Sequence, residues 1–88
     1  MKIEVFNTKG FKGGDFVKVI MNDESEETIQ LERGVIYMGS PERRKYTTGE
    51  IIPAKPPCIV VLGNLETPQG RGIPIAEVFD IVLVNRLN

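Results

Sequence analysis

Histidine and tryptophan are absent from these 88 residues, cysteine occurs once, and charge of neither sign prevails. Without histidine there is no imidazole to activate a nucleophile or ligate a metal, which removes most acid–base, nucleophilic and zinc chemistry. Cys58 alone cannot form an intramolecular disulfide or a multi-cysteine metal site, and a lone thiol suits a reducing compartment. Lys and Arg number 11 and Asp and Glu 12, for a formal net charge of −1. No global field therefore draws the chain to nucleic acid or to an anionic membrane. No apolar run approaches the roughly 20 residues of a membrane span, and Met1-Lys2-Ile3-Glu4-Val5-Phe6 lacks the apolar centre of a signal peptide. The sequence predicts a soluble, cytoplasmic, non-catalytic protein with no cofactor, no metal and no membrane partner.

What is present is a series of short apolar segments separated by turns. Ile3-Glu4-Val5 alternates and Phe16-Val17-Lys18-Val19-Ile20-Met21 is rich in β-branched side chains, so both read as strands, with a glycine-rich turn at 10–14 between them. Residues 22–27 read as a polar, acidic loop. Ile29 and Leu31 then alternate with Gln30 and Glu32, and Gly34 leads into Val35-Ile36-Tyr37-Met38. A helix from an N-cap at Ser25 to a stop at Gly34 competes with this strand. The two-residue spacing of Ile29 and Leu31 would put them on different helical faces and favours the strand.

Residues 39–57 form a long connection holding four of the six prolines, and 45–52 is a candidate excursion strand or hairpin within it. Cys58-Ile59-Val60-Val61-Leu62 is a continuous apolar run, the mark of a buried strand, and predicts a buried, inert thiol. Residues 64–72 read as a turn and 73–84 as the last one or two strands. Five or six short strands in one domain, residues 1–88, predict an all-β fold, a small barrel or sandwich. Closure into a barrel would remove exposed strand edges.

Three stretches support a more specific expectation. An acidic segment at 23–27 runs into Glu27-Thr28-Ile29-Gln30-Leu31-Glu32-Arg33-Gly34-Val35-Ile36, and Gly72-Ile73-Pro74-Ile75-Ala76-Glu77-Val78 follows near the end. Their order and spacing over about residues 16 to 84 resemble the Src-homology-three family. The resemblance implies a five- to six-stranded barrel with a long loop at 39–57. It also implies a short helical turn near 74–78, bracketed by Ile73 and Val78. Proline-rich peptides are held in that family by a shelf of aromatic rings. This chain has Lys18 to Asn22, Cys58-Ile59 and Glu77 at the corresponding places, so ordinary proline-motif binding is not expected.

The candidate binding residues fall in two charged groups. Arg43, Arg44, Lys45 and Tyr46 form the only dense basic cluster, with a stackable ring beside three cations. Asp23, Glu24, Glu26 and Glu27 form the acidic group, which in the family's fold would face the long loop across a groove. Arg71, in Gln69-Gly70-Arg71-Gly72, reads as one exposed cation on a glycine-rich turn. Lys12-Gly13-Gly14-Asp15 lacks the Gly-Lys-Ser/Thr pattern of a phosphate cradle and reads as a turn. The leading expectation is a non-catalytic module that binds a partner protein through its loops or an exposed strand edge. The alternatives are nucleic-acid binding by the basic loop 43–46, and a structural subunit of a bacterial or viral assembly that self-associates through uncovered edges.

Overall fold

Strands dominate the computed structural model, which describes residues 1–86. The order is α1 (Ile3–Asn7), β1 (Phe16–Met21), β2 (Glu26–Gln30), β3 (Arg43–Arg44), β4 (Ile51–Ile52), β5 (Cys58–Val61), β6 (Arg71–Pro74), a 3₁₀ turn (Ile75–Glu77) and β7 (Val78–Asn85). The all-β expectation is met. The strands lie in three small sheets, ordered β2-β1-β7, β3-β4 and β5-β6, and none closes into a barrel.

β1 is the centre of the largest sheet, antiparallel to β2 on one side and to β7 on the other. Val17 and Val19 alternate inward and are fully buried, in line with the period-two side-chain geometry of a strand. They meet Ile29 and Leu31 from the β2 side, Ile59 from β5, Ile73 from β6, and Val78 and Ile81 from β7. The β2 and β5–β6 layers are joined through the backbone where Leu31 bridges Val61. Glu32 N–H donates to the Val60 carbonyl at 3.0 Å and Leu62 N–H to the Gln30 carbonyl at 2.8 Å. The expected helical turn is present at Ile75–Glu77, flanked by buried Ile73 and Val78.

The N-terminal segment is a short helix rather than the expected strand. Its apolar residues obey two periods at once. Alternation pairs Ile3 with Val5, whereas a helical face pairs Ile3 with Phe6. The core selects the second, for Phe6 is fully buried, Ile3 packs against the core and Val5 is left exposed. The Phe6 ring meets Phe11 with centroids 5.4 Å apart and planes tilted by 57°, a favourable edge-on arrangement. Asn7 Oδ1 then accepts the Ile36 amide at 2.9 Å and so fixes the segment after β2.

That segment depends on Gly34. A methyl group there would lie 1.8 Å from the Phe11 carbonyl oxygen, so only glycine lets the two backbones pass. Val35 to Met38 is not a regular strand, and only Tyr37 joins a bridge, to Cys58.

The acidic loop is shorter than expected. Residues 22–25 make a tight hairpin turn in which Met21 N–H donates to Ser25 at 2.8 Å and Glu24 adopts φ +72°. Glu26 and Glu27 belong to β2. The turn is stabilised locally by Asp23, whose Oδ1 accepts the Ser25 amide at 3.0 Å, and the pairing with β1 carries the two glutamates into the sheet.

Candidate functional site

The long connection is an arm. Its two limbs pair at Tyr37–Cys58, Ser40–Lys55, Arg43–Ile52 and Arg44–Ile51, so equal numbers of residues separate successive rungs on each limb. Backbone bonds run both ways at two of the rungs, between Tyr37 and Cys58 at 3.0 and 2.9 Å and between Ser40 and Lys55 at 3.1 and 2.8 Å. Pro41, Pro53, Pro56 and Pro57 have no N–H to give to a ladder, which explains why the pairing is intermittent. At the tip, Lys45 pairs with Glu50 at 3.8 Å and with its backbone at 2.9 Å, while Tyr46 stands fully exposed.

No core residue comes from 37–58. The arm instead leaves Tyr37, Met38, Tyr46 and Ile51 exposed, and the molecule measures 46 × 28 × 23 Å. Adjacent strand residues point to opposite faces, so Arg43 leaves the hairpin with Ile52 and Arg44 leaves it on the other side with Ile51. The three neighbouring cations of the sequence therefore do not share one surface.

A second feature is a seam between β2 and the β5–β6 hairpin. Above the Leu31–Val61 bridge the two diverge, and Glu27 and Arg71 form an ion pair across the gap. Both side chains are set there by strand alternation. Glu27 is two residues from buried Ile29, and Arg71 is two from buried Ile73. Each occupies a core-facing position just where the core ends, so the pair closes the open side with charge.

On one side of it lies a cleft of about 440 Å³ bordered by Thr28, Gln30, Asn64, Glu66 and Thr67. On the other lies one of about 580 Å³ bordered by Ser25, Glu26, Pro74 and Glu77. Arg71 is thus a strand residue and not part of a turn, because Arg71 and Gly72 pair with Val61 and Val60.

The predicted site residues are consequently divided. Glu27 and Arg71 come together, Glu26 reaches Lys18 of β1 at 3.8 Å, and Asp23 and Glu24 sit in the hairpin turn. The Ser25 hydroxyl and then its amide, both bonded to Asp23, hold that carboxyl below the usual range. Among the described residues no ion pair joins Arg43, Arg44 or Lys45 to Asp23, Glu24, Glu26 or Glu27.

Cys58 is half-buried rather than buried. Its outer side borders an open cleft with Tyr37, Lys55 and Pro56, since β5 has lost its cover where the arm begins.

A third pair is structural. Asp15, almost wholly buried, accepts Arg86 Nε at 3.1 Å and Nη2 at 3.0 Å and the Lys12 amide at 2.9 Å. Arg86 also donates to the Gly10 carbonyl at 3.2 Å. The Arg86 hydrogen bonds, then that of the Lys12 amide, hold the Asp15 carboxyl below the ordinary carboxylate range. The pair ties the glycine-rich turn to the end of β7. Among the described residues no three His, Cys, Asp or Glu side chains gather as a metal site, and no helix is long and apolar enough to cross a membrane. No protein-family model matches the chain, and no curated protein or solved structure is detectably similar to it.

Proposed function

We propose that this chain is a non-catalytic protein-interaction module whose docking element is the hairpin arm 37–58. The observation that carries this reading is the separation of the arm from the core. A paired, proline-interrupted hairpin contributes no residue to the core and exposes Tyr, Met, Ile and Arg side chains. Tyr, Met and Arg are the types enriched at protein interfaces. An ordered apolar projection costs solubility unless something covers it. The prolines along both limbs guard its edges against indiscriminate strand pairing, as expected of an element kept for a specific contact.

A protein partner fits better than nucleic acid. Arg43 and Arg44 diverge to opposite faces and Lys45 is engaged by Glu50, so the tip offers no continuous cationic track for a phosphate backbone. The Src-homology-three likeness belongs to the same proposal. It is supported by the β1–β2 hairpin after the glycine-rich turn and by the 3₁₀ turn that follows Gly72-Ile73-Pro74. On this reading the frame is an open version of that barrel, parted at the β2–β6 seam.

The test is a chain in which residues 41–54 are replaced by a two-residue turn. The shortened chain should keep the dispersed amide spectrum of the parent, because no core residue has been removed. After nuclease treatment it should lose, by about tenfold or more in affinity, a purified protein partner that the parent captures. A partner held equally by both chains refutes the reading.

A further inference from the structure

The proposal rests on the arm as a docking element and concerns what the arm docks into. One strand edge is unpaired where it faces the seam, for β2 ends its three-stranded sheet. On β2 the Gln30 carbonyl accepts from Leu62, across the seam. In an antiparallel strand the outward-pointing backbone groups recur every second residue, so those of Thr28 and Glu26 also face the seam, and among the described residues no partner takes them. The exposed edge is three residues long, from Glu26 to Thr28.

The charges of the chain are sorted between the seam and the arm. Residues 37–58 carry Arg43, Arg44, Lys45 and Lys55 against Glu42 and Glu50, which is +2, so the rest of the chain carries −3 of the total −1. Four glutamates border the seam, Glu26, Glu27, Glu66 and Glu77. Lys18 and Arg71 answer the first two. Glu66 and Glu77 have no ion-pair partner among the described residues, and neither do Arg43 and Arg44. Both halves of a complementary contact are thus present in one chain and unjoined within it.

We infer that the seam accepts the arm of a second copy, with its Arg43-Arg44-Lys45 limb running as an added strand along β2 and its arginines meeting Glu66 and Glu77. Such β-addition draws affinity from main-chain bonds and selectivity from the flanking side chains. The contact is head-to-tail, since arm and seam are different surfaces, so it builds a ring if its rotation closes and a filament if it does not. The exposed apolar residues of β7, Phe79, Val82, Leu83 and Val84, take no part in it.

Sedimentation velocity of the whole chain over a wide concentration range, at low and at moderate salt, tests this. The mean mass should rise with concentration and the rise should weaken with salt. The double reversal Arg43→Glu with Arg44→Glu should weaken self-association by about tenfold or more, and so should Glu66→Lys with Glu77→Lys. All four positions are exposed, so neither variant disturbs the core. Mixing the two variants should restore association, because each then meets an oppositely charged surface, whereas damage to folding would not be cured by mixing. A parent chain that stays monomeric throughout overturns the inference while leaving the arm as a docking element for another protein, which the shortened-arm experiment addresses separately. Self-association that survives both reversals overturns it too, and points to another edge such as β7.

Discussion

Gly34→Ala perturbs the closest backbone approach made at any glycine among the described residues. The added Cβ would stand 1.8 Å from the Phe11 oxygen, 2.5 Å from its carbonyl carbon and 3.1 Å from the Lys12 nitrogen, all backbone atoms that no side-chain rotation can clear. Carbon–oxygen contacts are tolerable from about 3.3 Å, so the two backbone segments must part by roughly 1.5 Å. That movement strains two attachments, the Phe6–Phe11 ring contact and the Asn7–Ile36 hydrogen bond. Overpacking costs about 1–3 kcal/mol and a lost hydrogen bond about 1 kcal/mol, while the lower unfolded-state entropy of Ala returns up to about 1 kcal/mol.

The expected loss therefore spans about 1–4 kcal/mol and centres on about 2–3 kcal/mol, from a total near 4–13 kcal/mol for a chain of this length. Urea titration followed by circular dichroism should show a lower midpoint at unchanged slope. The melting temperature should fall by roughly 10–25 °C. Gly49→Ala is the control. It lies at the arm tip with φ +70° and open space around it, so its strain is released locally and the global unfolding free energy should change by less than about 1 kcal/mol. Equal midpoints for Gly34→Ala and the parent would refute the close approach of the two backbones.

Other perturbations separate further elements. Phe6→Ala should cost about 3–5 kcal/mol and Val5→Lys less than about 0.5 kcal/mol in the same titration; the reverse order would restore the alternating strand. Leu31→Ala, at the backbone bridge between the layers, should cost about 2–5 kcal/mol. Asp15 has a folded-state pKa below its unfolded value, so the unfolded chain binds its proton first as pH falls. The stabilisation from Asp15 is complete above the unfolded carboxylate range and lost as pH drops through the folded value, and Asp15→Asn should flatten that acid limb in melts recorded from pH 6 downward. A double-mutant cycle on Glu27 and Arg71 should return at most about 1 kcal/mol, falling with salt, because both side chains are half-exposed.

How much of this was legible in the sequence varies with the kind of signal. Period two in Phe16–Met21 and in Ile29 and Leu31 is a local property, and it located β1 and β2 correctly and excluded the helix from Ser25 to Gly34. Gly72-Ile73-Pro74 located the 3₁₀ turn. The N-terminal segment misled because six residues satisfied two periods, and only the fully buried place taken by Phe6 decided between them. The arm was legible as a proline-rich excursion, but its rungs at Ser40–Lys55 and Tyr37–Cys58 depend on pairing across up to 20 intervening residues.

Of the site, Glu27 and Arg71 were each visible, and a shared signal existed. Each stands two residues from a buried isoleucine, which marks an inward position occupied by a charge. Their meeting, and that of Asp15 with Arg86, joins segments 44 and 71 residues apart and carries no local trace.

The order β2-β1-β7 also sets a timetable for folding. β1 leaves the ribosome well before its second neighbour β7, with Phe16 opposite Asn85 and Val19 opposite Ile81. Such distant pairings slow folding, because a long loop must close before any of them is rewarded. During synthesis β1 has only β2 beside it, and its other edge stays open until β7 emerges. A ribosome stalled before residue 78 would therefore hold a chain with β1 unpaired on one side and Val17 and Val19 without Val78 and Ile81, a species for chaperones to shield until β7 arrives.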